Sequence, residues 1–145
     1  MKNKLSCFVL LIALFGLGCK KGLSDDITQY NWVLESQMVT PAITLYGKTS
    51  TDYLALQNPE GCTKNNTLNF KKDGTYSISS NGSLCDMATN SSNQKWTRTD
   101  NELVLNYDAH LSEKFFIEKD KMTKTESIEI EGKNYVFITV RKAKK

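Results

Sequence analysis

The sequence predicts an all-β fold: a small antiparallel up-and-down β-barrel of about eight strands, with a short helix in the long loop after the first strand. Three observations predict it. Apolar and polar residues alternate over runs of five to ten residues from Tyr30 onward, the period of a half-buried strand. Turn residues interrupt these runs at short intervals, as in Asp73-Gly74, Asp100-Asn101 and Gly132-Lys133. The chain has 145 residues, enough for one domain.

The amino terminus stands apart from that pattern. Lys2 and Lys4 precede an apolar run, Leu5 to Phe15, which ends in the small residues Gly16 and Gly18. This order of basic tip, apolar run and small-residue exit is that of a secretory signal peptide over residues 1–18. A membrane-spanning helix needs about 20 apolar residues, and this run is far shorter. Two exits fit. Ordinary cleavage would leave Cys19 a free thiol, whereas a bacterial lipoprotein signal would have Cys19 acylated as the first mature residue. Cysteine parity favours the lipid. Cys7 leaves with the signal, and Cys62 and Cys85 remain as a pair in an oxidising compartment. We therefore take Cys19 as a lipidation site and residues 19–28 as the lipidated cysteine with a flexible tether. Nine such residues span about 15–18 Å.

The domain is expected over residues 29–142. "YNWVLES" opens it as the first strand. Gln37 to Gly61 does not fit a meander; its "STDYLALQ" stretch suits a short helix capped by Ser50 or Thr51. "TLNFKKDGTYSISS" is a hairpin turning at Asp73-Gly74. Gly82 to Asn93 is polar and predicts a loop. "QKWTRT", "ELVLNY", "EKFFIEKD" and the pair within "KTESIEIEGKNYVFITVRK" supply the later strands, with turns at Asp108 to His110 and Asp120-Lys121. Residues 143–145 are expected as a basic, solvated tail.

Taking the apolar face of each strand gives the candidate barrel-lining residues: Phe70, Tyr76, Ile78, Trp96, Leu103, Leu105, Tyr107, Phe115, Ile117, Ile128 and Ile130. The last strand is ambiguous, because Tyr135/Phe137 and Val136/Ile138 are both apolar. Cys62 and Cys85 are expected as a structural disulfide. It closes a loop of about 24 residues, for which the chain-entropy treatment gives roughly 3.5 kcal/mol.

A lipoprotein signal, "NWVLES", "GCTKNNTLNFKKDGTYS", a second cysteine, "QKW" and a closing "YVFITVRK" together resemble the lipocalin-like lipoprotein domains of the Bacteroidota. Two glycines usual in that family are replaced here by Tyr30 and Gln94. The resemblance implies a small calycin-type barrel on a lipid anchor; Lys20 stands where an aspartate retains many lipoproteins at the inner membrane, so the outer membrane of the cell envelope is expected, on either face. It also implies a barrel end closed by an arginine of the last strand packed over a first-strand tryptophan, here Arg141 over Trp32.

The chemistry is otherwise sparse. One histidine, His110, sits in a turn without a second histidine or a nucleophile beside it, and no catalytic triad, phosphate loop or zinc motif appears. No enzyme activity, cofactor or metal is expected. The formal charge of +3 falls by two when the signal is removed, which leaves no electrostatic footprint for nucleic acid. The expected function is binding of a small apolar or amphiphilic ligand. The alternative is an envelope-tethered interaction or inhibitor protein that meets a macromolecular partner through its loops, its barrel filled.

Overall fold

The computed structural model describes residues 26–57, 66–80, 94–108 and 110–145. Nine strands form one antiparallel sheet: β1 (Asn31–Leu45), β2 (Lys48–Asp52), β3 (Asn66–Phe70), β4 (Tyr76–Ser80), β5 (Lys95–Thr99), β6 (Glu102–Asn106), β7 (Ser112–Glu118), β8 (Lys121–Ile130) and β9 (Lys133–Lys144). Eight follow each other around the wall in the order β4-β3-β1-β9-β8-β7-β6-β5, and β2 pairs with β1 alone. The two ends of that path, β4 and β5, meet through one bridge between Thr75 and Lys95, which makes a nearly closed barrel. The Trp96 amide donates to the Gly74 carbonyl at 2.8 Å across this seam.

Local chemistry explains the turns. Gly74 sits at φ +81°, a conformation glycine adopts at no steric cost, and Asp73 Oδ1 accepts from the Thr75 amide at 2.9 Å. The β8–β9 connection places Glu131 and Gly132 at φ 52° and 75°, the signs of a two-residue hairpin turn that follows strand twist.

The first strand is longer than the sequence suggests. Gln37 to Gly61, expected outside the meander, instead continues β1 to Leu45 and returns as β2. Val39 and Ile43 are buried on this extension, so it is held by packing rather than by a visible alternation. Its ladder to β9 runs as far as Thr40, the residue before Pro41, which has no N–H to give. The short helix does follow, as α1 (Tyr53–Leu56), but its cap is Asp52, whose Oδ1 accepts from the Ala55 amide at 3.0 Å. Ser50 uses its hydroxyl on the Asp52 amide instead, also at 3.0 Å.

Two further boundaries move. The β7–β8 turn falls at Lys119-Asp120, with Lys119 at φ 56°, and Lys121 already pairs with Glu118 and Lys142. At the carboxyl end β9 runs through Ala143 and Lys144, which pair with Trp32 and Asn31; residues 143 and 144 are therefore strand rather than tail.

The core has two parts. The larger holds Trp32, Leu68, Phe70, Tyr76, Leu103, Leu105, Phe115, Ile117 and Met122, sealed by Ile27 from a 3-10 turn, Ile27–Gln29. Trp32 Nε1 donates to the Ile27 carbonyl at 3.2 Å, tying that turn across the end of the barrel. The smaller holds Val39, Ile43, Leu56 and Phe137 at the other end, where α1 lies over β1 and β9. There Tyr53 meets Phe137 edge-on, centroids 5.0 Å apart.

Candidate functional site

Strand register decides which side chains face inward. Residues directly opposite on antiparallel strands share a face. Phe137, Thr139 and Arg141 are buried on β9, so their β8 partners Glu126, Lys124 and Met122 also point inward. Ile128 and Ile130 continue the same face toward the β8–β9 turn. On β7, Glu113 lies opposite the fully buried Leu105. The interior therefore carries a charged layer between its two apolar clusters.

Hydrogen bonds link most of that layer, although Arg141 Nε and the Tyr76 hydroxyl are buried without a hydrogen-bond partner among the described residues. Lys124 Nζ donates to Glu113 Oε1 at 2.6 Å and lies 3.0 Å from Glu126 Oε2. The Tyr107 hydroxyl donates to the second Glu113 oxygen at 2.6 Å. Tyr107 in turn stands edge-on to Tyr76, centroids 5.9 Å apart. Beneath it, Arg141 Nη1 donates to the carbonyls of Asn66 at 2.9 Å and Trp32 at 3.4 Å. Gln57, at the end of α1, reaches Gln37 on β1 at 3.3 Å.

Burial and charge set the protonation. Burial, then the Glu113 carboxylate, pushes the Tyr107 hydroxyl far up, and the same two causes raise Tyr76. Burial pulls Lys124 down, but its bonds and charges with Glu113 and Glu126 outweigh that and leave it raised. Burial lowers Arg141, opposed by Tyr107 and Glu113. The layer thus sets two basic side chains, Lys124 and Arg141, against two acidic ones, Glu113 and Glu126.

The layer is also reachable. The side chains of Lys124, Glu113 and Glu126 keep 14%, 29% and 35% of their surface exposed although they face inward. Ile128 and Ile130, on the same face nearer the turn, are 40% and 37% exposed. The half around Trp32, Leu103, Leu105 and Met122 is packed shut.

The expected lining divides along that line. Phe70, Tyr76, Leu103, Leu105, Phe115 and Ile117 are buried in the larger cluster, and Ile78, Trp96 and Tyr107 pack against it half-buried. Ile128 and Ile130 share the inward face by register but lie outside the two packed clusters, as an exposed apolar rim where the β8–β9 hairpin runs on past the packed half. The last strand resolves with Phe137 inward and Val136 and Ile138 outward. Trp32 and Arg141 do meet, through the Trp32 carbonyl; the cation–π contact found among the described residues is Lys133 over Tyr135 at 5.3 Å. His110 is exposed in its turn, its amide held by Asp108 Oδ1 at 2.7 Å. Cys19, Cys62 and Cys85 lie outside the described residues.

Sequence reasoning passed over Lys124 and Glu126. The signal was present: in "MTKTESIEI" they share the parity of Met122, Ile128 and Ile130, so a lysine and a glutamate sit on the dry face. Two open depressions of about 590 Å³ also occur. One lies by Trp96, Arg98, Asp100 and Asn101, and the other is on the outer wall around Phe116. Neither reaches the charged layer. Among the described residues no three acidic, histidine or cysteine side chains gather as a metal site.

These features define a nearly closed antiparallel β-barrel consistent with a calycin-like fold, packed around Trp32 and carrying a partly exposed charged layer on its inward face. No protein-family model, curated protein or solved structure matches the chain.

Proposed function

We propose that the protein is a non-catalytic binding module that takes a small amphiphilic ligand into the open half of its barrel. One observation carries this reading: Lys124, Glu126, Ile128 and Ile130 face inward yet remain exposed. An apolar rim above a few convergent polar groups is the usual form of a small-molecule site. Calycin-type shape is compatible with such a role but does not select it. Native mass spectrometry of detergent-extracted protein should find a small molecule retained at one copy per chain. A mass equal to the bare polypeptide and its anchor, under conditions that keep the fold, would refute the reading.

The setting we propose is the cell envelope, with Cys19 acylated and the domain held at the outer membrane by the residues between Cys19 and the buried Ile27 turn, a shorter tether than the expected 19–28. Its support is the signal-like order of residues 1–18 and the cysteine parity. Cys62 and Cys85 complete the proposal as a disulfide. Cys19→Ala should release the protein into the soluble fraction. Peptide mapping without reductant should recover the Cys62–Cys85 pair.

A second reading, an interaction protein with a macromolecular partner, draws on the outer wall. Met38 and Ile138 pair across β1 and β9 and are both exposed, as are Val136 and Phe116 nearby. Crosslinking in intact cells would separate the two, since it captures a partner protein only under the second.

A further inference from the structure

We propose that the protein has a second ligand site, separate from the charged layer, in the depression beside Trp96, and that it takes a neutral saccharide. The proposal does not depend on the reading of the barrel mouth.

The seam places this site. Among the described residues one bridge, Thr75 to Lys95, joins β4 to β5, so β5 runs on from Trp96 to Thr99 beside β6 alone. Trp96 and Arg98 stand opposite Leu105 and Leu103, both fully buried, and so share one face of β5. The Asp100-Asn101 turn follows directly. These four residues line the open depression of about 590 Å³.

Trp96 is fixed there as a platform. Its Nε1 donates to the Lys71 carbonyl at 3.1 Å, and its ring meets Phe70 edge-on, centroids 5.6 Å apart. With its one donor in use, the indole offers the depression carbon surface only. Arg98 is steadied beside it by a bond from Nε to the Asp100 carbonyl at 2.7 Å. Asn101 gives its own carbonyl to the Ile117 amide, also at 2.7 Å. The turn is thus held through its backbone, while the Asp100 carboxylate and the Asn101 amide belong to exposed residues and can meet a ligand.

That lining matches one chemistry best. Arg98 and Asp100 bring opposite charges, so a charged ligand of either sign meets a like charge and a neutral one does not. An apolar ligand would cover the carboxylate and amide without giving them partners. A sugar ring has an apolar C–H face to lay on indole carbon. Its hydroxyls each donate and accept, which suits a carboxylate beside an amide. An open depression also lets one or two rings bind while the rest of a glycan stays in water. Because platform and turn are held beforehand, little ordering opposes binding.

The test titrates the folded protein with cellotetraose, maltotetraose and N-acetylchitotetraose, with adenosine as a stacking control. Tryptophan emission reports on Trp96, because Trp32, the other tryptophan, has no exposed surface. At least one oligosaccharide should bind with Kd about 1 mM or tighter and change that emission, and adenosine should bind at least about tenfold more weakly. Asn101→Ala should weaken the same oligosaccharide about fivefold, as for one neutral hydrogen bond, without shifting the melting temperature. Monolauroyl glycerol, a probe of the open half of the barrel, should bind equally with and without saturating oligosaccharide. No half-saturation by about 10 mM with any of the three would overturn the site. Adenosine binding as tightly as the best oligosaccharide would overturn the saccharide assignment. Full affinity in both Asn101→Ala and Trp96→Phe would overturn the placement in this depression, and competition with monolauroyl glycerol would overturn its separateness.

Discussion

Arg141, near the end of the last strand, donates to the backbone carbonyl of Trp32 in the first, 109 residues earlier in the chain. The same Nη1 also reaches the Asn66 carbonyl in β3. One guanidinium thus fastens β9 to two strands at the packed end of the barrel, where Trp32 itself holds the Ile27 turn. Both bonds leave the one nitrogen Nη1, and a more weakly hydrated guanidinium suits this buried position better than an ammonium does.

Arg141→Lys should therefore destabilise the fold by about 2 kcal/mol, the scale of losing hydrogen bonds to a charged group in a buried setting. Lys142→Ala should cost less than about 0.5 kcal/mol. Its ion pairs to Glu35 and Asp120 are both 3.8 Å long and solvent-exposed, and such pairs contribute little. Urea titrations of the two variants check this; equal midpoints would remove the stabilising role assigned to Arg141.

Most of the wall was legible because its strands alternate plainly. "ELVLN" buries Leu103 and Leu105 and shows its other residues, and Asp73-Gly74 announces its own turn. The extension of β1 was not legible. Pro41 and the exposed Thr40 and Thr44 hide a strand whose inward residues, Val39 and Ile43, are buried only because β2 and α1 fold back over them. The charged layer was missed for a different reason. A lysine and a glutamate on the dry face of a strand look like alternation errors until register brings Glu113 to the same level from β7. Ile128 and Ile130 show a further limit: parity gives their inward face, but not how far the hairpin projects beyond the core.

The protonation of the layer predicts alkaline lability. Lys124, Tyr76 and Tyr107 all have folded pKa values raised above their ordinary ones. Their contribution is therefore fully present below the unfolded values, near pH 10, and is lost as pH rises beyond them. Arg141, lowered by burial, opposes this only toward its own higher range. Unfolding midpoints should be level from about pH 7 to 9 and fall above about pH 10. Tyr107→Phe should flatten that fall by removing one of the three groups. A wild-type midpoint that held steady through pH 11 would contradict the assignment.

The hairpin turn offers a purely conformational test. A Cβ at Gly74 would meet its nearest neighbour, the Trp96 carbonyl, at 3.9 Å, an ordinary contact. Space is therefore not the constraint; the positive φ is. Gly74→Ala should cost about 1–2 kcal/mol, the strain of a left-handed residue with a side chain. Gly74→Asn should cost less, because asparagine tolerates that region. Thermal melts of the two variants, ranked in that order, are the expected result, and the reverse ranking would point to crowding instead.

The division of the barrel into a packed and an open half predicts that stability and binding respond to different residues. Leu103 has no exposed surface in the packed half, and Leu103→Ala should cost about 2–5 kcal/mol through lost burial and the cavity left behind. Ile128 and Ile130 are 40% and 37% exposed, so Ile128→Ser with Ile130→Ser removes only part of a buried side chain at each site and should cost about 1–2 kcal/mol per site. The same double variant strips the apolar rim above Lys124 and Glu126. It should weaken monolauroyl glycerol binding by about tenfold, the equivalent of one or two buried methylene groups in total over the two side chains. Calorimetric titration alongside a urea midpoint reads both quantities on one sample. If the double variant bound as tightly as the wild type, the rim would have no part in the site, and the ligand would have to enter elsewhere. If Leu103→Ala left the midpoint unchanged, the packed half would not be the stabilising half that its burial makes it.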